Sequence, residues 1–512
     1  MKNMKFIYRL AFAAMLGGSV MTTACDGILD VEPRQSIDAD GALSSPEAVN
    51  AALNSVYARL RSIGNYGRNL MAVSDALADV GVTTGNSGRL IQENNNQPNN
   101  HFNNEGNVFW QNSYYAINEA NLILDGIAQG VEGASATQIA AWEGEAKFLR
   151  ALYYFDLVKS YSYIPTAIYT AGLTDEGGIP MPLEGSITSD IGMNRSSPRA
   201  TIDEVYSQIY NDLNDAIASL GNGPVQYASR GAAQGLLSRV ALYRGDWELA
   251  ANQATEALGS SAGNVLSGQA YVDGWRAESH PEAMFEVRYA IPGESNGVNL
   301  SLSSSYTTLL NLDASKNSQG GWGDFVPNQR VRDFFGLAPL HLGGDESDNN
   351  NWDVTRNNDV RAFLYTTGSN IRGAGRQIEC IKFISKTGFA YADNVPVIRK
   401  SEMHLNRAEA NFHLGNTAEA LDELNAFKGL RGLEPVQLTG EAILDEILIE
   451  RFKEFAFEGH RFYDLKRYSQ AIDKTSYLGA NALVPFDDFR ILPPFPQREV
   501  DINTNLNQNR GY

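Results

Sequence analysis

Two ten-residue stretches of this chain repeat one another. Ala241-Leu242-Tyr243-Arg244-Gly245-Asp246-Trp247-Glu248-Leu249-Ala250 aligns with Asn411-Phe412-His413-Leu414-Gly415-Asn416-Thr417-Ala418-Glu419-Ala420, 170 residues downstream. Each reads as the end of one helix, a Gly-Asp or Gly-Asn turn and the start of an alanine-bearing second helix. Glycine at that point supplies the left-handed residue that ends a helix without strain. Small residues at Ala232, Ala233, Ala241, Ala250 and Ala254, and again at Ala408, Ala410, Ala418 and Ala420, permit close helix approach. This is the pattern of tetratricopeptide-type helical hairpins, units that bury their apolar faces by stacking on neighbours. The expectation is a mostly α chain whose helical array is interrupted between the two copies.

Helical periodicity predicts further helices at 46–61, 108–127 and 138–161, one from Thr201 to about Leu220, and the hairpin helices at 229–243, 247–258, 399–413 and 417–428. Ser45-Pro46-Glu47 supplies a cap, a first-position proline and an early acid, and Thr201 with Glu204 forms a capping box. Residues 26–45 read as an irregular lead-in, and the Asn- and Gly-rich stretch 81–107 as a loop. The segment from about 260 to 395 mixes Gly, Ser, Asn and Asp with short β-branched or aromatic runs. Irregular segments of that length in compact proteins usually carry function.

Near the start, Lys2, Lys5 and Arg9 precede the apolar run Leu10 to Met21, which closes in Thr22-Thr23-Ala24-Cys25. That is a secretory signal with a cysteine directly after the cleavage site, as a bacterial lipoprotein requires. Residues 1–24 are then a signal peptide, Cys25 is the lipidation site, and at least two acyl chains give a stable anchor. With Cys25 acylated, Cys380 has no disulfide partner. The sequence carries 41 Lys and Arg against 60 Asp and Glu; without the leader the balance is 38 against 60, a net of −22. So acidic a body is repelled by a phosphate backbone, which excludes nucleic acid as a partner.

Four stretches together resemble the SusD/RagB family of Bacteroidetes outer-membrane lipoproteins: GEAKFLRALYYFDLVKSY at 144–161, NVPVIRKSEMHLNRAEA at 394–410, ERFKEFAFEGHRFYDLKRY at 450–468 and LPPFPQREVDINTNLNQNRGY at 492–512. Weaker matches are Trp110 with Tyr114, Ile117 and Ala120-Asn121, and Glu282 with Phe285-Glu286-Val287. The resemblance implies one SusD-like body over 25–512. It has an N-terminal helical part at about 46–260, an irregular ligand-face insertion at about 261–395 and a C-terminal part at about 396–512. It also implies a cell-surface, outer-membrane protein without enzymatic activity. Such a protein captures an oligomeric nutrient, most often a glycan, and hands it to a TonB-dependent barrel of the SusC/RagA type. A peptide-binding member of the family is the alternative. From other classes, an anchored hydrolase or a helical-repeat scaffold for protein partners competes with it.

Residue by residue, the matched helices read as scaffold. Phe148, Leu152, Phe155 and Leu157 form an apolar stripe, with Glu145, Lys147, Arg150 and Lys159 solvated or paired. Glu450, Glu454 and Glu458, spaced by four among basic residues, read as a salt-bridged helix surface, with Gly459 as the left-handed cap that ends it. Trp110, Trp142, Trp247 and Trp275 read as structural. No H-E-x-x-H, G-x-S-x-G, P-loop or C-x-x-C occurs, the six histidines are scattered, and no cofactor is expected. The acidic run from Asp345 to Asp353 is attractive to calcium, but it lacks the glycine and closing glutamate of an EF-hand loop.

Sugar recognition needs aromatic platforms beside side chains that hydrogen-bond in two directions. The loops that combine them are Tyr66 with Phe102, Asn100, Asn103 and Asn104; Tyr306; and Trp322 with Asp324, extended by Trp352 with Asn351 and Asp353. The glycines around Trp322, in Gly320-Gly321-Trp322-Gly323-Asp324, favour its exposure.

Overall fold

The computed structural model describes residues 43–98, 102, 104–187 and 197–512. The leader, Cys25, Asn100 and Asn103 lie outside them. The fold is mostly helical. Pro46–Arg59, Asn104–Gln129, Ala136–Tyr161 and Ile202–Ser219 are the N-terminal helices, followed by a first hairpin of Arg230–Arg244 and Trp247–Gly259. The second hairpin is Lys400–His413 and Thr417–Leu430, after which Glu441–Phe455 and Arg461–Arg467 complete the C-terminal part. Ser135 with Gln138, and Thr201 with Glu204, close reciprocal capping boxes that satisfy otherwise orphaned N–H groups at two helix starts.

The two hairpins stand side by side. Trp247–Gly259 of the first packs along Lys400–His413 of the second, and the Trp247 and His413 rings stack with centroids 4.0 Å apart. The interruption in sequence is thus not one in space. Gly245 (φ +85°) and Gly415 (φ +83°) both take the left-handed conformation their turns require. The alanines of the repeat are buried, apart from Ala418, which is exposed.

Helix Ala136–Tyr161 is the spine of the N-terminal part, flanked by Asn104–Gln129 and Ile202–Ser219. Every residue from Phe148 to Tyr161 is buried, so the expected stripe is a fully enclosed helix. Its charged residues are paired: Arg150 with Asp212 at 2.6 Å, Lys159 with Asp156 at 2.5 Å, Lys147 with Glu143 at 2.6 Å, and Glu145 accepting from Tyr57 Oη at 2.7 Å.

Glu450, Glu454 and Glu458 are salt-bridged as their spacing predicts, but the expected helix surface is corrected to a buried network. Glu450 and Glu454 are fully buried and Glu458 nearly so. Glu454 receives Arg399 Nη1 at 2.6 Å, Arg431 Nε at 2.9 Å and Arg361 Nη1 at 3.4 Å. Glu450 pairs with Arg361 at 2.6 Å, and Glu458 with Lys382 at 2.6 Å and Arg399 at 2.9 Å. Burial alone would raise the Glu454 carboxyl, but Arg431 and Arg399 outweigh it and hold it well below the ordinary range. Arg361, Lys382 and Arg399 belong to the irregular segment or its end, so this buried network clamps that segment to the helices. Gly459 is left-handed (φ +76°), but the helix stops at Phe455. A Cβ on Gly459 would stand 2.8 Å from Met71 Cα, so close backbone approach is what requires glycine there.

Between the hairpins the chain is built from short pieces. Among the described residues the strands form five two-stranded antiparallel ladders. Ala283–Val287 pairs with Val395–Arg399 and joins the two ends of the insertion. Gly81–Thr83 pairs with Phe325–Pro327, which brings the Asn-rich loop to Trp322. Pro339–His341 pairs with Trp352–Val354, and Tyr365–Thr367 with Ile378–Cys380.

Candidate functional site

The ladders aim three loops at one face. The Gly320–Asp324 loop carries Trp322 and leads directly into Phe325–Pro327. Its glycines are required by contact: a Cβ on Gly320 would lie 2.3 Å from Leu309 C, and one on Gly321 2.2 Å from Thr307 O. The backbone is therefore packed tightly onto residues 304–310, and Trp322 N donates to Ser304 O at 3.0 Å. Its half-buried indole donates from Nε1 to Asn299 Oδ1 at 3.1 Å. Asn86, from the Asn-rich loop, donates to Trp322 O at 2.8 Å and accepts from Ala374 N at 3.0 Å, tying this loop to the next.

That next loop, 368–377, joins Tyr365–Thr367 to Ile378–Cys380 and is closed at its base by Gly368 N donating to Gln377 O at 2.8 Å. It carries two arginines. Arg372 Cζ lies 4.1 Å from the centroid of Trp322, and Arg376 Cζ lies 4.4 Å from that of Trp352. Trp352, also half-buried, opens the third loop system, with Nε1 donating to Glu346 O at 3.1 Å and its ring beside His341.

Trp352 borders a groove of about 400 Å³ shared with Leu312, Lys316, Leu342, Arg356 and Phe363. Leu312, Leu342 and Phe363 are exposed there, so the groove mixes apolar wall with polar edges, as a small-molecule site does. Lys316 Nζ donates to Trp352 O at 2.7 Å, Thr366 Oγ1 at 2.9 Å and Thr367 Oγ1 at 3.1 Å, and burial holds its ammonium below the ordinary pKa. Beneath both loops sits Glu379. It is buried and accepts from Thr307 Oγ1 and Thr308 N at 2.8 Å and from Thr308 Oγ1 at 2.7 Å. Burial pushes its carboxyl up to about 7.

The structure removes several expected ligand residues from this face. Tyr66 is buried and donates from Oη to Asp156 at 2.8 Å. Phe102 is fully buried against Phe109 and Tyr161. Tyr306 ends a short helix capped by Ser301 that turns its ring inward, where Oη donates to Asp75 at 2.8 Å. These aromatics plug the scaffold, since a buried ring with a satisfied hydroxyl is more stable than one left in water. Asp324 is likewise buried, its Oδ1 accepting from Ser87 Oγ at 2.5 Å, so it braces the loop. Trp322 and Trp352 are brought together through loop 368–377. Arg372 and Arg376 were missed; the glycine-spaced Arg372-Gly373-Ala374-Gly375-Arg376 is the signal that could have found them.

The acidic run is occupied by its own chain. Asp345 accepts from Ser347 N at 2.8 Å, and Asp348 from Asn350 N at 2.9 Å and Asn317 Nδ2 at 2.6 Å. Asp353 forms a two-toothed pair with Arg356, which outweighs burial and holds it below the ordinary range. Among the described residues no group of three or more His, Cys, Asp or Glu side chains is placed to hold a metal ion.

Comparison with known proteins bears on this architecture. Residues 28–242 match a family model described as SusD-like, starch-binding and associating with the outer membrane, and residues 378–512 match the SusD/RagB model. SusD-like protein P2 of Formosa agariphila is 26% identical over the whole of both chains. SusD-like protein P38 of the same organism is 22% identical, also over the whole of both. A SusD superfamily crystal structure from Bacteroides thetaiotaomicron superposes with a TM-score of 0.74 at 24% identity, over 91% of this chain and 99% of that one. A laminarin-binding SusD-like protein superposes with a TM-score of 0.70 at 23% identity, over 92% of this chain and all of the other.

Proposed function

Because the chain belongs to the SusD/RagB family, we propose that it binds an oligomeric glycan at the cell surface and delivers it to a SusC-like TonB-dependent transporter. Lipid on Cys25 tethers it to the outer membrane. The family is one of binding proteins, and the reading follows that role. The observation that carries it is the face where Trp322, Trp352 and the groove beside Trp352 are joined by one loop held on a packed base. A rigid base matters because binding energy is otherwise consumed in ordering loops. The laminarin-binding protein of the same fold supports glycan over peptide.

Affinity electrophoresis of the detergent-solubilised full chain against a polysaccharide panel tests it, with Trp322→Ala alongside. We expect retardation by at least one glycan, weakened at least about tenfold in Trp322→Ala, as loss of an aromatic side chain central to a binding face entails, and no release of sugar product. Peptide binding in a calorimeter with no glycan retained would transfer the assignment to the peptide-binding alternative.

A further inference from the structure

Resting on that glycan reading, we propose that the ligand is an acidic glycan, and that Arg372 and Arg376 recognise its carboxylate or sulfate groups. The tryptophans do not offer bare platforms. Each has a guanidinium over its ring, at 4.1 Å for Trp322 and 4.4 Å for Trp352, so on that side an approaching sugar meets a cation before it meets an indole. The two cations are fixed in the same manner. Arg372 donates from Nε to Gly321 O at 2.9 Å and from Nη2 to Gly320 O at 2.6 Å. Arg376 donates from Nε to Asn349 Oδ1 at 3.2 Å and from Nη2 to Glu346 O at 3.1 Å. Among the described residues neither Nη1 has an acceptor, and both side chains are half-exposed.

Among the described residues neither arginine has a carboxylate partner, although the chain holds 60 acidic residues against 41 basic ones. In the buried scaffold, by contrast, Arg150, Arg239, Arg361, Arg399, Arg431 and Arg467 are each closed by carboxylates. Of the acids near this face, Asp345 and Asp348 accept from loop donors and Asp353 pairs with Arg356, while Arg376 takes the backbone carbonyl of Glu346. Lys316, under the groove, also rests on neutral oxygens alone. A stacked guanidinium keeps its charge and its planar fork, the geometry that matches carboxylate and sulfate oxygens. An acidic protein also needs such local cations to hold an acidic polymer against its own field.

Binding of the detergent-solubilised full chain would be measured against polygalacturonate, alginate and a sulfated galactan, with laminarin and methyl-esterified polygalacturonate as neutral comparisons. We expect retention by an acidic polymer, loss on esterification where polygalacturonate is the one retained, and weakening as NaCl rises from about 50 to 300 mM. The uronate and sulfate arms identify which anion is read. R372Q/R376Q should weaken that binding at least about tenfold, while R372K/R376K, keeping charge but not the fork, should lose less. The lysine variant and an unchanged melting transition separate recognition from misfolding. Retention of neutral glycans alone, unaffected by R372Q/R376Q, overturns this inference and leaves glycan binding standing; failure of every glycan overturns both.

Discussion

Glu379 is one side chain on which the ligand face depends. Its three acceptor bonds fix Thr307 and Thr308, on which the tight Gly320-Gly321 backbone lies, and Thr308 Oγ1 in turn accepts from Ser369 N at 2.7 Å in the arginine loop. A Cβ on Gly368 would fall 1.9 Å from Glu379 Oε1, so loop and carboxyl are fitted to each other. Burial raises the carboxyl from an ordinary 4.5 to about 7, with the Thr307 and Thr308 donors and the Lys316 ammonium opposing the rise. The folded state therefore holds a proton that the unfolded chain releases above pH 4.5. The corresponding stability is complete below that pH and is lost as pH rises through about 7. At about 1.4 kcal/mol per unit the scale is roughly 3 kcal/mol. Asp75, raised to about 8 by burial, acts in the same direction, so the informative quantity is a difference. Melting temperature against pH should fall more steeply for the wild type than for Glu379→Gln between pH 4.5 and 7.5, and parallel curves would refute the assignment.

At the scale of elements, the buried ion network is what holds the irregular segment to the helices. Glu454 is its centre, facing Arg361, Arg399 and Arg431 at once. Replacing such a network with apolar residues can be neutral, but removing one partner leaves charge buried without compensation. Glu454→Ala should cost about 3–5 kcal/mol in chemical denaturation, and a change within 1 kcal/mol would mean water or rearrangement satisfies the arginines. This element also shows where sequence reading stops. Its charges at four-residue spacing read as a salt-bridged surface, because the partners that bury them come from Arg361, 93 residues away, and Arg399, 55 away. Helix Asn69–Leu77 escaped notice for a related reason: all nine residues are buried, so no amphipathic alternation marks it. By contrast, the hairpins, the Thr201–Glu204 capping box and the long helices are legible, since local periodicity and caps determine them, whereas the Ser135–Gln138 box emerges only with the structure. Trp322 and Trp352 were legible as loop tryptophans beside glycine and asparagine. Tyr306 was not, because the aspartate that receives its hydroxyl lies 231 residues upstream.

For the whole molecule, the distance in sequence between Cys25 and the residues proposed to meet ligand carries the remaining prediction. The largest hydrophobic core runs from Val49 to Leu506, while the residues proposed to meet ligand lie between Trp322 and Arg376. No helix among the described residues is long and apolar enough to cross a membrane. If the thiol of Cys25 carries lipid, membrane retention then rests on acyl chains, each worth about 0.8 kcal/mol per buried CH2. Cys25→Ser should move the protein from the membrane pellet to the supernatant on fractionation. Its glycan affinity should stay within about twofold of wild type, as for a residue that tethers the body and takes no part in recognition. A variant still in the pellet would refute lipid anchoring at Cys25. One that is released but has lost glycan binding would show that the lead-in or the membrane helps to form the ligand face, which would then be a property of the assembled surface complex and not of the packed loops alone.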